Sequence, residues 1–442
     1  MVQWTLAEVA AATGGTVHGD GALTVTSVSI DSRAVTPGSL FVARRGERVD
    51  GHRFAAAAMA AGAVAAVVDG DAAVDLVPRI AVGDTAVALR DLGAYRRNQL
   101  TMPVVAVTGS TGKTSTKDLL AAAIPGAAAS PRSYNNEVGV PLSVLGADDE
   151  ATALVLEVGS RGRGHIAWLM PAVVPDVAVI TNIGVAHLET FATVSALVEA
   201  KWELVEGLGV DGTAVLPADE PRLRIAHRAS TITFGSPGAD VAVERLRVDD
   251  VGRPRFQLRT PSGSADVALA LSGAHQATNA AAAAAAGLVI GTDLATLVSG
   301  LEAAQPSPQR MEIHRGRFTV VNDAYNANPE SVRAALRTVA VMPGRHLAVL
   351  GMMAELGPIE AEEHRAMGAE ARQLGYTAVV VVGDDPGIAE GAGDLAIVVP
   401  DQAAAALAVT GMIAPGDVVL VKASRRVGLD RLAALLAKAA SP

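Results

Sequence analysis

Pro103-Val-Val-Ala-Val-Thr-Gly109-Ser110-Thr111-Gly112-Lys113-Thr114-Ser115-Thr-Lys-Asp-Leu-Leu-Ala-Ala-Ala123 decides the fold. It opens as an apolar, β-branched run, passes through a glycine-rich turn and continues as a helical pattern. A strand feeding a helix through such a turn is the unit of a doubly wound parallel sheet, and ligands bind at the carboxyl ends of its strands. The N–H groups of Gly109 to Ser115 and the helix N-terminus can hold phosphate oxygens. Lys113 adds a point charge, and the Thr114 hydroxyl can ligate Mg²⁺. The regular spacing of such loops places glycine at position 107, where this chain has Val107, so the loop is a variant. An accidental glycine-rich turn is the competing reading.

Outward from this unit the alternation of strand and helix recurs. It continues beyond the linker candidate Ala303-Ala-Gln-Pro-Ser-Pro-Gln-Arg310, with strands expected at 318–322, 347–350, 378–382, 396–399 and 418–421. Residues before the unit alternate short strands with turns and an alanine-rich helix from Phe54 to Ala61. The expected fold is α/β in three domains: 1–98 a small α/β domain, 99–310 a central parallel-sheet domain carrying the phosphate loop, and 311–442 a smaller Rossmann-like domain.

Composition narrows the function. Half of the 442 residues are hydrophobic but only 3% are aromatic, so the cores are built from alanine, valine, leucine and isoleucine. A net charge of −10 argues against a nucleic-acid or anionic-membrane binder, and the absence of cysteine excludes disulfides and thiolate metal sites. The opening Met-Val-Gln-Trp-Thr-Leu-Ala-Glu has neither a basic nor an apolar leader segment, which points to the cytoplasm. Ala280 to Ala286 is too short for a membrane span and reads as a helix.

The loop Thr108 to Ser115 resembles that of the Mur ligases and their folylpolyglutamate synthetase relatives. Asp31-Ser32-Arg33, Pro37-Gly-Ser-Leu-Phe41 and Asp50-Gly-His52 resemble the UDP-binding first domain of that family. Tyr134-Asn135-Asn136-Glu-Val-Gly-Val-Pro141, Glu157-Val-Gly159, Asn182-Ile-Gly-Val-Ala-His187 and Ala200-Lys201-Trp-Glu203 resemble its central signatures. Asn322-Asp323-Ala-Tyr325-Asn326-Ala-Asn328-Pro329, Glu355-Leu-Gly357 and Lys422-Ala-Ser424-Arg425 are similar to the members that add D-alanyl-D-alanine. The resemblance implies ATP and Mg²⁺ as cofactors, with a UDP-N-acetylmuramoyl-tripeptide and D-alanyl-D-alanine as substrates. Neither nucleic acid nor membrane is implied, and a monomer is expected.

The resemblance also implies roles for single residues. Thr114, Glu157 and His187 become metal ligands, and Lys201 a carbamylated support for a second Mg²⁺. His275, Asn279, Arg310 and Asp323 become nucleotide contacts. Ser32, Arg33, Asp50, His52, Asn135, Asn136, Tyr325, Asn326, Asn328, Lys422 and Ser424 become substrate contacts.

By residue chemistry alone these positions have plainer readings. His187 is then a cap or core histidine, Glu157 a solvated strand-end charge, Asn279 a helix N-cap, and Asn326-Ala-Asn328-Pro329 a turn. Lys201 is a helix-surface lysine pairing with Glu203 or Glu206. Yet of 36 basic residues only five are lysines (113, 117, 201, 422 and 438), and a neutral amine can add carbon dioxide whereas guanidinium cannot. Departures from the family pattern fall at Pro217, at Gly351-Met-Met-Ala-Glu and at Ser160-Arg-Gly-Arg-Gly-His165. The competing functions are another amide ligase of the superfamily, including a folylpolyglutamate synthetase, and a P-loop regulatory protein. Asp31-Ser-Arg and Asp50-Gly-His speak against the folate enzyme and the regulatory protein, and leave a different Mur step as the competing amide ligase.

Overall fold

A computed structural model describes residues 2–441 except 47, 48, 71, 73, 74, 185–187 and 192. Three α/β domains follow one another along the chain. Five strands build the first sheet, in the order Thr16–His18, Arg79–Val82, Ala65–Asp69, Ser39–Val42 and Ser27–Ser29. Only its first pair is antiparallel. The parallel strands therefore end on one crest, which carries the loops holding Asp31 to Arg33 and Asp50 to His52.

The central sheet has nine strands. Its parallel part places Val104–Thr108 between Leu154–Glu157 and Val177–Ile180. Strand order reverses at Val104–Thr108, so the phosphate loop sits at a topological switch point, where a crevice opens between diverging connections. Register sets Glu157 abreast of Val107 and Ile180 abreast of Thr108, which brings Glu157 and Thr181 to the crest beside Gly109. Near-continuous burial explains the valine runs: all five residues of Val104–Thr108 are buried. The far edge departs from the expected all-parallel sheet. Val241–Val248, Pro254–Thr260 and Gly263–Ala268 form an antiparallel meander, whose alternating burial in Pro254–Thr260 marks a sheet with one wet face.

The alanine run lies in the helix His275–Val289, and each of Ala280 to Ala286 is fully buried between the sheet and the helix Lys113–Ala123. Alanine favours the helix and keeps its diameter small, so the two helices approach closely despite the scarcity of aromatic filler.

The third domain is a six-stranded sheet in the order Glu312–His314, Thr319–Asn322, Val418–Lys422, His346–Gly351, Ala378–Val382 and Ala396–Val399, parallel after its first pair. Thr319–Asn322 and Val418–Lys422 are neighbours, so Asp323 and Lys422 meet at their carboxyl ends. No helix among the described residues is long and apolar enough to cross a membrane.

The helices Glu360–Gln373 and Pro386–Ala392 press together through Gly368, Gly387 and Gly391, and a Cβ on Gly391 would overlap the Arg365 carbonyl oxygen. Gly391→Ala should cost about 2 kcal/mol by overpacking. Gly411→Ala, on a helix with nothing within 4 Å, should gain about 0.5 kcal/mol by helix propensity. Calorimetric melts of the two variants measure both, and equal melting points would contradict this packing.

Candidate active site

The phosphate loop is held on three sides. Gly109 has φ 149°, and a Cβ there would overlap the Thr181 hydroxyl; Gly112 has φ 78° and faces Asn279 Oδ1. Both glycines let backbone approach where a side chain would block it. Asn182 Oδ1 accepts the Ser110 and Thr111 N–H groups at 3.1 and 2.9 Å, and its amide donates to the Thr111 hydroxyl. The Thr181 hydroxyl donates to the Thr111 carbonyl at 2.5 Å, and the Ser110 hydroxyl accepts the Gly184 N–H at 2.9 Å. Asn182 thus fixes the loop's shape, a role that its place in a motif hinted at but that only the sheet register reveals.

Directly below, Glu157 is 1% exposed, so it is not a solvated strand-end charge. Its carboxylate accepts the Thr114 hydroxyl at 2.7 Å and the Asn135 amide at 2.7 Å. Arg310 Nη2 donates to Thr114 Oγ1 at 2.9 Å and to Ser133 Oγ at 3.3 Å, so Ser133 joins a group in which the sequence did not place it. A buried carboxylate and hydroxyl beside a phosphate loop suit Mg²⁺, which takes oxygen ligands and is typically bound by one or two carboxylates plus substrate phosphates. Among the described residues no group of three histidine or acidic side chains is arranged to hold a metal ion. His187 lies outside the described residues.

Two lysines add positive charge. Lys113 Nζ donates to the Gly109 and Ser110 carbonyls at 2.6 and 3.2 Å. Burial pulls its pKa below the usual ammonium range, with Glu157 opposing the shift and Arg310 adding to it. Lys201, on the helix Val194–Glu206, is 2% exposed and lines the cavity, so the surface-lysine reading is overturned. Glu203 is committed elsewhere: its carboxylate accepts the Gly164 and Ala167 N–H groups at 2.5 and 2.9 Å, capping the earlier helix His165–Val173. Burial first, and then the charge of Lys113, hold the Lys201 pKa well below normal, which favours a neutral amine.

The third domain supplies the opposite wall. Asp323 Oδ2 accepts Lys422 Nζ at 2.6 Å, and its Oδ1 accepts the Met311 N–H at 3.1 Å. Lys422, 2% exposed, also donates to the Asn326 carbonyl at 2.8 Å. Ser424 Oγ accepts the Ala354 N–H at 2.7 Å. The Tyr325 ring lies between two guanidiniums, 4.2 Å from Arg310 and 5.1 Å from Arg425. Asn328 is the N-cap of Pro329–Ala340 in a reciprocal box with Ser331, and Asn136 Oδ1 accepts the Val138 and Gly139 N–H groups, so both organise helix starts. His275 opens its helix and is exposed toward the cavity, where desolvation by the surrounding protein lowers its pKa, with Asp323 opposing and Lys422 assisting. Asn279 lies within the helix's first turns, donates to Gln276 Oε1 at 2.9 Å and is not the N-cap.

These elements enclose one cavity of about 750 Å³, reached by Ser110 to Ser115, Asn135, Asn136, Glu157 and Lys201 of the central domain. His275, Asn279, Arg310, Asp323 and Lys422 face it, together with Tyr325, Asn326, Asn328 and Ser424. Ser32, Arg33, Asp50 and His52 do not; they sit on the crest of the first sheet. There Arg33 pairs with Asp31 and lowers that carboxyl to about 2. His52 Nδ1 lies 2.6 Å from Asp50 while Nε2 accepts the Asp69 N–H at 2.9 Å, next to a cavity of about 480 Å³ that Arg44, Arg45 and Thr85 line.

Three family descriptions match the chain: "Mur ligase family, catalytic domain" over 24–107, "Mur ligase middle domain" over 107–287, and "Mur ligase, glutamate ligase domain" over 309–425. A Mycobacterium tuberculosis protein named UDP-N-acetylmuramoyl-tripeptide–D-alanyl-D-alanine ligase is 36% identical, over 98% of this chain and 97% of its own. A solved structure of the UDP-N-acetylmuramoylalanyl-D-glutamyl-2,6-diaminopimelate–D-alanyl-D-alanyl ligase of Acinetobacter baumannii superposes with a TM-score of 0.89 at 31% identity, covering 99% of both chains. The MurF ligase of Thermotoga maritima in complex with ADP superposes with a TM-score of 0.84 at 29% identity, over 94% of this chain and 97% of that one.

Removing Asp323's charge leaves Lys422 buried without its counter-ion, since Asn326 offers only a carbonyl. Asp323→Asn should therefore cost about 3 kcal/mol and lower the third domain's calorimetric transition by about 10 °C. An unchanged transition would show that the pair does not hold this wall together.

Proposed function

We infer the reaction of this chain from its membership: it belongs to the Mur ligase family, and it is an ATP-dependent ligase that adds D-alanyl-D-alanine to a UDP-N-acetylmuramoyl-tripeptide in peptidoglycan precursor synthesis. One observation carries the reading at the site. The Thr114–Glu157 pair at the phosphate loop and the Asp323–Lys422 pair of the third domain face a single cavity, with Arg310 of the linker reaching between them.

In the first step a terminal carboxylate oxygen of the tripeptide bonds to the γ-phosphorus of ATP, and the bond to the bridging oxygen breaks as ADP leaves. The amine of D-alanyl-D-alanine then attacks the acyl carbon, inorganic phosphate departs and the nitrogen loses a proton. Neither step needs a covalent enzyme intermediate, so positioning and charge stabilisation do the work. Lys113 and the loop N–H groups hold the β- and γ-phosphates, and the loop keeps its form through Asn182. Thr114, Glu157 and His187 would hold Mg²⁺, which would supply charge neutralisation at the transferring oxygens. His275, Asn279, Arg310 and Asp323 form the nucleotide side. Asn135 orients Glu157 and borders the muramoyl-tripeptide, the acyl donor, and Asn136 supports it from a helix cap. Tyr325, Asn326, Asn328, Lys422 and Ser424 form the third-domain substrate wall. Ser32, Arg33, Asp50 and His52 take the UDP end. We assign 1–98, 99–310 and 311–442 as the domain limits, with a monomer in the cytoplasm that binds neither nucleic acid nor membrane.

Phosphate release should require both the UDP-linked tripeptide and D-alanyl-D-alanine. A coupled phosphate assay decides it. Equal release without the dipeptide, or with a folate and glutamate pair instead, would overturn the assignment.

Lys201 is proposed to carry a carbamate, formed when its neutral amine adds carbon dioxide and loses a proton, turning a buried cation into an anion beside the metal. Lys201→Arg should keep the fold by circular dichroism yet lose more than about 99% of ligase turnover, because guanidinium cannot be carboxylated. Acetate should partly restore Lys201→Ala. Near-normal turnover of Lys201→Arg would end the carbamate proposal.

A further inference from the structure

Between the first and central domains lies an ion cluster that the reaction above leaves unused. Glu137 Oε1 is 3.3 Å from Arg44 Nη2 and 3.0 Å from Arg161 Nη1, and His165 Nε2 is 3.5 Å from Oε2. The Arg161 N–H donates to His165 Nδ1 at 3.1 Å, which leaves the Nε2 side of the ring turned to the carboxylate. Two guanidiniums share one carboxylate, so even with a neutral imidazole the cluster keeps a surplus positive charge. The carboxyl of Glu137 is held down to about 2, first by its hydrogen bond with His165 and then by the charges of Arg161 and Arg44.

The three cations differ in access. Arg44, 31% exposed, turns toward the smaller cavity of the first domain, while Arg161, 64% exposed, lines the large cavity together with His165, Ser160 and Asn135. Among the described residues only Nη1 of the Arg161 guanidinium is engaged by a side chain, so Nε and Nη2 are available. The cluster therefore spans the seam that an extended substrate must cross between a UDP end on the first domain and a carboxyl end at Glu157. Along that stretch the tripeptide bears carboxylates that are not activated. In an alanyl-D-glutamyl-diaminopimelate sequence each of the last two residues has two carboxyls and uses one, leaving one to spare on each.

We propose that Arg161, held by Glu137 in front of Arg44 and His165, is the specificity-determining receptor for a spare carboxylate of the tripeptide. The proposal rests on the ligase reading above. Guanidinium binds carboxylate through paired N–H donors, and the anion finds here a cluster in which two guanidiniums outnumber the one carboxylate of Glu137.

The test is a KM comparison with three UDP-linked tripeptides at saturating ATP and D-alanyl-D-alanine: the diaminopimelate form, a lysine form lacking the tail carboxylate, and a form with the D-glutamyl spare carboxylate amidated. For the wild type, one of the two altered substrates should show a KM raised roughly ten- to a hundredfold, the loss of one charge-assisted contact. Arg161→Gln should erase that ratio by bringing the diaminopimelate form to the same high KM, and Arg161→Lys should restore part of it. Which altered substrate responds identifies the carboxylate. If Arg161→Gln raises all three KM values by one factor, or leaves the wild-type ratios unchanged, the cluster is only a clasp between domains and the proposal falls. Wild-type turnover of the unaltered tripeptide is the control: its absence would sink the ligase reading itself.

Discussion

Glu157 is a carboxylate taken out of water at the end of a central strand, and the site is arranged around what that demands. Its hydrogen bonds come from neutral donors, the Thr114 hydroxyl and the Asn135 amide, which satisfy geometry but not charge. The charge is answered by Lys113, with Arg310 beside it in the same group. One anion and two cations leave a positive surplus inside a chain whose net charge is −10. That imbalance is costly for an empty protein interior and favourable for a polyphosphate with an anionic acceptor. The lowered lysine pKa values are the visible form of the cost.

The fold makes this group possible by setting two switch points face to face. In the central sheet the strand order turns at Val104–Thr108, and in the third sheet Asp323 and Lys422 meet where Thr319–Asn322 and Val418–Lys422 run side by side. Each crest alone offers an open crevice; together they enclose a cavity. Nucleotide and acceptor are then desolvated from both sides, which strengthens every fixed dipole and charge that acts on them.

Much of this was legible in the sequence because local physics dictated it. The valine runs, the glycine turn and the alanine helix each bear a period or punctuation that admits few structures, and the strands of the third domain fall within a residue of where hydrophobicity put them. What was not legible depends on pairing between distant segments. The antiparallel meander at the central sheet's edge alternates too weakly in Gly263–Ala268 to announce itself. Asn182 and Ser133 matter only through contacts across 71 and 177 residues. Glu203 looked like a partner for Lys201 by helical proximity, yet it caps a helix 36 residues earlier. Proximity along one helix said nothing about which neighbour would present the stronger claim of two unsatisfied N–H groups.

The linker shows how the two crests are joined. Arg310 stands between Gln309 and Met311, which have φ of 60° and 51°, left-handed values that side-chain-bearing residues resist at roughly 1 kcal/mol each. Both are held from the third domain, Gln309 N–H by Glu312 at 3.0 Å and Met311 N–H by Asp323 at 3.1 Å, while Ser307 is tied to Asp118 of the phosphate-loop helix. The strain is thus sustained by contacts on either side of the joint. Its product is an Arg310 that donates a guanidinium N–H to Thr114 and lies 4.2 Å from the centre of the Tyr325 ring. Because Asp323 holds both the linker backbone and Lys422, the placement of the third domain's buried charge and the placement of Arg310 over the phosphate loop are set by one carboxylate. A linker relaxed into ordinary backbone geometry would separate them, and the two halves of the cavity would lose their common reference.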